Sequence, residues 1–209
     1  MSTPADPSVM SLDDHPLNLP TGQDAPSAGH GEDERLLANL ALALVDNPRA
    51  TLQELAQAVG VSRATLYRFS RTREELIDRL MQHATGCLQR AMEEARLDEG
   101  PAREALTRFV QGQLEQRELA AFLVYHWQPE TIQDERGRTS CDAFLEALDA
   151  FILRGQREGV FRIDIAAQAQ TEALMALLTG IVDAERRGRV ARVGVPAMVE
   201  ALFLKGCAG

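Results

Sequence analysis

Three features of the sequence predict an all-α fold. Apolar residues recur at i, i+3, i+4, i+7 from residue 32 almost to the C-terminus, and no stretch alternates apolar and polar residues long enough to propose a strand. Aromatic residues make up only 5% of the chain, and runs of β-branched residues are scarce. With 209 residues, 45% of them apolar, the chain can bury one sizeable core beside at most a small second module.

Residues 1–31 carry Pro4, Pro7, Pro16, Pro20 and Pro26 among scattered Ser, Gly and Asp, the composition of a disordered acidic tail. His15 and His30 read as solvated tail histidines, since a metal site needs converging ligands. A first helix over 32–46 uses Leu36, Leu37, Leu40, Leu44 and Val45 as its stripe and closes at Asn47-Pro48. Thr51 and Glu54 form a capping box for a second, two-turn helix that Gly60 ends, and Ser62 caps a third. A long helix over 72–97 opens with a Thr72–Glu75 capping box and breaks at Asp98-Glu99-Gly100. Pro101 restarts a helix at N1, and 101–127 reads as one interrupted helix or two, ended by Pro129. Residues 134–157 give another helix, stopped at Glu158-Gly159, and Val160–Ile163 reads as a short extended piece. Asp164 then caps a helix to about residue 187, and a last helix starts at Val195.

The formal charge of −9 at first argues against an anionic partner, but it is unevenly placed. Seven acids and no Lys or Arg fall in residues 1–34, which leaves 24 acids against 22 bases in the rest. The three cysteines, Cys87, Cys141 and Cys207, have no paired spacing, so neither a disulfide framework nor a zinc module is indicated and a reducing cytoplasm fits. Cys87 and Cys141 fall on apolar stripes and read as small hydrophobes. There is no apolar run long enough to span a membrane and no secretory signal. Glycine-rich phosphate loops, H-E-x-x-H and nucleophile motifs are absent, and acidic pairs such as Glu93-Glu94 read as solvated faces, so no enzyme, cofactor or metal is expected.

Residues 51–69 carry the functional signal. Leu55, Ala56, Val59, Val61, Leu66 and Phe69 are spaced so that two short helices pack across the Gly60 turn, a helix-turn-helix pattern. On its second helix Leu66 and Phe69 define the buried direction, so Arg63, Ala64, Tyr67 and Arg68 point away from it, with Thr65 at the edge. Such a face suits the major groove: Arg63 or Arg68 for guanine, Thr65 for a thymine methyl or a phosphate, and Tyr67 for a phosphate. Arg71 and Arg73 follow at the start of the long helix, and residues 61–73 hold four arginines and no acid. A helical adaptor whose helix-turn-helix contacts protein is the alternative.

Ala50–Ala56, Val59–Arg68 and Thr72–Leu76 closely resemble the N-terminal motif of the TetR (tetracycline repressor) family of bacterial transcriptional regulators. Arg157–Phe161 before a long helix is similar to that family's later half. The resemblance implies a helix-turn-helix DNA-binding domain over 32–78 and a larger helical ligand-binding and dimerisation domain over 79–209. By position it makes Thr51, Arg63, Thr65, Tyr67, Arg68 and Arg73 operator contacts, with Ser62, Ala64 and Arg71 on the same surface. Ser70 departs from the family, which often has Phe there, and no basic arm precedes the first helix. The implied function is a cytoplasmic, homodimeric repressor, released from a palindromic double-stranded DNA operator by a small apolar inducer.

For the inducer pocket, Phe109, Phe122, Tyr125, His126, Trp127, Cys141, Phe144 and Leu148 concentrate aromatic and polarizable side chains within residues 105–155. Two stripes are available for a dimer interface: Leu174, Leu177, Leu178 and Ile181, then Val195, Met198, Val199, Leu202 and Phe203. Self-association is one way to cover them; completing the core of a single chain is the other.

Overall fold

The computed structural model describes residues 28–126 and 135–207, and these form helices joined by turns, with no strand among them. In order they are α1 (Ala28–Asp46), α2 (Leu52–Ala58), α3 (Arg63–Phe69), α4 (Arg73–Glu94), α5 (Ala102–Glu115), α6 (Arg117–His126), α7 (Glu135–Arg157), α8 (Ala167–Arg186) and α9 (Val195–Cys207). Most of the expected tail lies outside the described residues, but α1 begins at Ala28 rather than residue 32. Trp127 also lies outside them.

Local chemistry sets most helix ends. Thr51 Oγ1 accepts from the Glu54 amide at 3.3 Å, and the Glu54 carboxylate accepts from the Thr51 amide at 2.7 Å, a complete capping box. At α4 only half the box forms. Thr72 Oγ1 accepts from the Glu75 amide at 3.1 Å, but the Glu75 carboxylate reaches back to the Arg71 amide at 2.9 Å. Gln116 separates α5 from α6, and Pro101 occupies the N-cap of α5 instead of its first helical position. α8 has Ala166 at its N-cap with no side-chain cap, because Asp164 is taken up by Arg162 at 2.5 Å. The expected extended piece at 160–163 is instead a helix stop: the amides of Val160 and Phe161 both donate to the Gly155 carbonyl, with Gly159 at φ +72°.

Two hydrophobic cores result. The first gathers Leu40, Leu44, Leu55, Leu66, Leu76 and Leu80 from α1 to α4, but also Leu119, Phe122 and Leu123 from α6. α6 follows residue 78 by a wide margin in the sequence, yet its apolar face closes the helix-turn-helix head. The second core packs α5, α7, α8 and α9 around Leu106, Phe109, Leu148, Phe151, Ile152, Phe161 and Phe203. Phe161 stands edge-on to Phe151 and Phe203, with ring centroids 5.5 and 5.8 Å away. Gly155 permits this, since a Cβ there would lie 2.2 Å from the Phe161 ring. α8 is tied forward by Arg117 on Glu185 at 3.0 Å, a largely buried pair, and by Arg186 on Asp46 of α1 at 3.0 Å.

The second core takes up part of the α8 and α9 stripes that the sequence offers for an interface. Leu174, Leu178, Val195, Val199 and Phe203 are buried inside the single chain. Leu177, Ile181 and Met198 are half-buried, and Leu202 is 51% exposed. Leu177, Ile181 and Met198 pack at the margin of the second core, and Leu202 is the most open of the four. The stripe thus serves the core and keeps accessible surface at its margin.

Candidate DNA-reading face

The reading head is built on two short helices whose relative position is set by one turn. The Val61 amide donates to the Ala56 carbonyl at 3.0 Å across the Gly60 turn, where φ is +74°. Leu66 is fully buried and Phe69 half-buried, which turns the opposite face of α3 outward as expected: Arg63, Ala64, Tyr67 and Arg68 are exposed. Ser62 caps α3 through the Thr65 amide at 3.0 Å, and its hydroxyl lies 2.7 Å from Thr65 Oγ1. Both hydroxyls are therefore engaged in holding the helix start. The Arg63 guanidinium lies over the Tyr67 ring and donates to its hydroxyl.

Thr51 and Arg71 are exposed beside this face. The backbone amide of Thr51 holds the Glu54 carboxyl below its ordinary pKa, and the Arg71 amide does the same for Glu75. These two acids are committed to helix starts. Arg73 is half-buried, and its guanidinium donates to the Pro48 carbonyl, which pins the first turn of α4 to the end of α1. This takes one of its five donors. Arg79 covers Phe69, 5.3 Å from the ring centre. Ser70 is buried, and its hydroxyl has no partner among the described residues.

The residues expected to line an inducer pocket divide between the two cores. Phe122 belongs to the head core, while Phe109 and Leu148 are buried in the second core. Phe144 lies 6.4 Å from Phe109, and both Phe144 and Cys141 are half-buried. Tyr125 is 51% exposed. The His126 ring lies tilted against Phe122, centroids 4.5 Å apart, and its Nε2 has no partner among the described residues. Burial pushes its pKa down, and the nearby Arg73 adds to this.

A cavity of about 230 Å³ lies elsewhere, between α1, α4, α5 and α6, where Glu34, Glu94 and Glu115 meet His83, Cys87 and Arg90. Those carboxylates come from three helices, so no spacing rule in the sequence could have joined them. Burial raises the Cys87 thiol pKa against the opposing effect of Arg90, whose Nη2 lies 3.1 Å from its sulfur, in keeping with an unreactive thiol. Cys141 is likewise raised by burial. No group of His, Cys, Asp and Glu among the described residues is arranged to hold a metal, and no described helix is long and apolar enough to cross a membrane.

A bihelical turn that presents Arg, Ala, Tyr and Arg outward from an all-helical body defines a helix-turn-helix DNA-binding transcriptional regulator. No family profile matches the chain. It is, however, 47% identical over 174 residues to the HTH-type transcriptional regulator NfxB of Pseudomonas aeruginosa, a match covering 83% of this chain and 93% of that protein. It is 31% identical over 138 residues to the HTH-type transcriptional repressor LfrR of Mycolicibacterium smegmatis, covering 64% and 72%. Among solved structures, the TetR family regulator PfmR of Thermus thermophilus is 25% identical, with a TM-score of 0.61 over 81% of this chain and 91% of that one. The structure of LfrR in complex with proflavine shares the fold, with a TM-score of 0.65 at 24% identity over 87% and 99%. The chain belongs to the TetR family of transcriptional regulators.

Proposed function

We propose that this regulator is a cytoplasmic homodimeric repressor that grips a palindromic operator and is released by a small-molecule inducer. The observation that carries the reading is the outward face of α3, basic and aromatic on a helix whose other side is locked by Leu66. Arg63, Ala64, Tyr67 and Arg68 enter the major groove, and Ser62, Thr65, Thr51 and Arg71 flank the backbone. Arg73 acts on this face from behind, through Pro48. Two copies of the head are joined through the margin of α8 and α9, where Leu177, Ile181, Met198 and Leu202 keep accessible surface. A two-fold dimer matches a two-fold operator.

The inducer acts on the body, and the proflavine complex of LfrR supports a small molecule in that role. Phe144, half-buried beside Phe109, and Cys141, half-buried one turn before it on α7, form the wall it meets. Its effect reaches the head by two routes: α4, whose first turn is fixed to Pro48, and α6, whose Leu119, Phe122 and Leu123 lie in the head core. To switch occupancy from 1:99 to 99:1 the inducer must favour the released state by about 5.5 kcal/mol.

The test is a combined Leu177→Glu and Leu202→Glu variant. Sedimentation is expected to show a dimer for the parent protein and a monomer for the variant. Affinity for a duplex selected from a random pool by the parent protein should fall about a hundredfold or more, because the two half-sites no longer act together. A variant that sediments as a monomer yet keeps full affinity overturns the dimeric reading.

A further inference from the structure

Two of the exposed side chains on α3 are tied to each other. Arg63 and Tyr67 stand one turn apart; Arg63 Nη2 donates to Tyr67 Oη at 3.2 Å, and the guanidinium carbon lies 4.9 Å from the ring centre. Arg68, at the other end of the helix, has no hydrogen-bond or ion-pair partner among the described residues. The two arginines that the sequence leaves equivalent as guanine readers are thus held differently by the fold.

We infer that Arg63 is the residue that reads guanine in each half-site, and that Tyr67 is its positioning residue, holding the guanidinium plane ready for guanine O6 and N7. This rests on the DNA-reading assignment of α3. Arg63 is the first residue of α3, and the N-terminal residues of a recognition helix are the ones that meet base edges. A guanidinium carries five donors, so one spent on Tyr67 leaves a parallel pair for a bidentate contact. Tyr67 accepts through a lone pair and keeps its own O–H to donate to a phosphate, which links base reading to backbone position. Finally, a guanidinium already stacked on a ring loses less freedom on binding, and residues 61–73 hold no carboxylate to compete for it. Arg68, unrestrained at the far end of the helix, serves the backbone instead.

The experiment uses the full chain and a duplex selected by it from a random pool, with each guanine replaced in turn by 7-deazaguanine, which lacks the N7 acceptor. At one guanine per half-site the parent protein should lose roughly tenfold to a hundredfold in affinity. Arg63→Ala should bind more weakly and show no loss at that guanine. Arg63→Lys should keep more affinity than Arg63→Ala and still lack the discrimination, because it keeps the charge without the fork. Tyr67→Phe should shrink the loss at that guanine while leaving the losses at other positions unchanged, and Tyr67→Ala should shrink it further. All four replacements fall on solvent-facing side chains, so thermal unfolding should match the parent.

The inference is overturned if Arg63→Ala retains the full loss at every guanine. It is also overturned if Tyr67→Phe weakens binding by one factor on all duplexes, the mark of a phosphate contact alone. Selection that enriches no duplex removes the DNA-reading assignment itself, a separate and distinguishable failure.

Discussion

The two hydrophobic cores of this regulator are built on different terms. The head core is mostly leucine, drawn from α1 to α4, and it is incomplete within residues 28–94: Leu119, Phe122 and Leu123 of α6 supply what the head helices lack. The rear core is richer in aromatics, with Phe109, Phe151, Phe161 and Phe203, and it draws mainly on α5, α7, α8 and α9, with Met92 and Ala95 from the end of α4. A small unit buries too little apolar surface to be stable by itself. The head's dependence on α6 is therefore a structural necessity that also couples it to the body.

Phe122→Ala should break this comparison most sharply. The side chain is fully buried, and its loss should cost about 3–5 kcal/mol. Because the cavity opens in the head core, urea unfolding is expected to split, with DNA binding lost in an early phase while the rear helices persist. A single transition with DNA binding and helicity lost together would show that the two cores unfold as one.

Gly155→Ala probes the other core. The added methyl would lie 2.2 Å from the Phe161 ring, which is confined by Phe151 and Phe203. Overpacking of this kind costs about 1–3 kcal/mol, against which a helical alanine returns about 1 kcal/mol over glycine. A net loss of stability is expected in thermal unfolding, with the late phase shifted and the early phase unmoved.

Ser70→Ala should give the smallest effect, and of opposite sign. The buried hydroxyl of Ser70 has no partner among the described residues, so removing it is expected to stabilise the head by about 1 kcal/mol, read as a rise in melting temperature with operator affinity unchanged. An unaltered or lower melting temperature would mean that the hydroxyl is satisfied in solution.

Much of the reading head was legible in the sequence. The Thr51–Glu54 box, the Gly60 turn and the Ser62 cap act between residues a few positions apart, so their spacing states their geometry directly. The outward set on α3 followed from Leu66 and the helical period. The rest of the site was less legible. Nothing near Arg73 in sequence points to the carbonyl of Pro48, and in sequence Phe122 is one of a group of aromatics, whereas the packing of α6 on α1 and α4 places it in the head core. Ser70 was visible as a departure from the family, but its burial without a partner was not.

The all-helical class, the helix-turn-helix and the basic stretch at 61–73 are determined by the sequence alone, because periodicity, caps and charge are local properties of the chain. Tertiary structure decided which side of each stripe is core and which is surface. Leu174 and Leu177 lie on the same helix and read alike, yet one is sealed inside the chain and the other, at the margin of the same core, stays partly exposed. It also decided that α6 belongs with the head and that Arg63 pairs with Tyr67 while Arg68 does not. A helical period fixes a direction around an axis, but burial depends on what another part of the chain, far along the sequence, places in that direction.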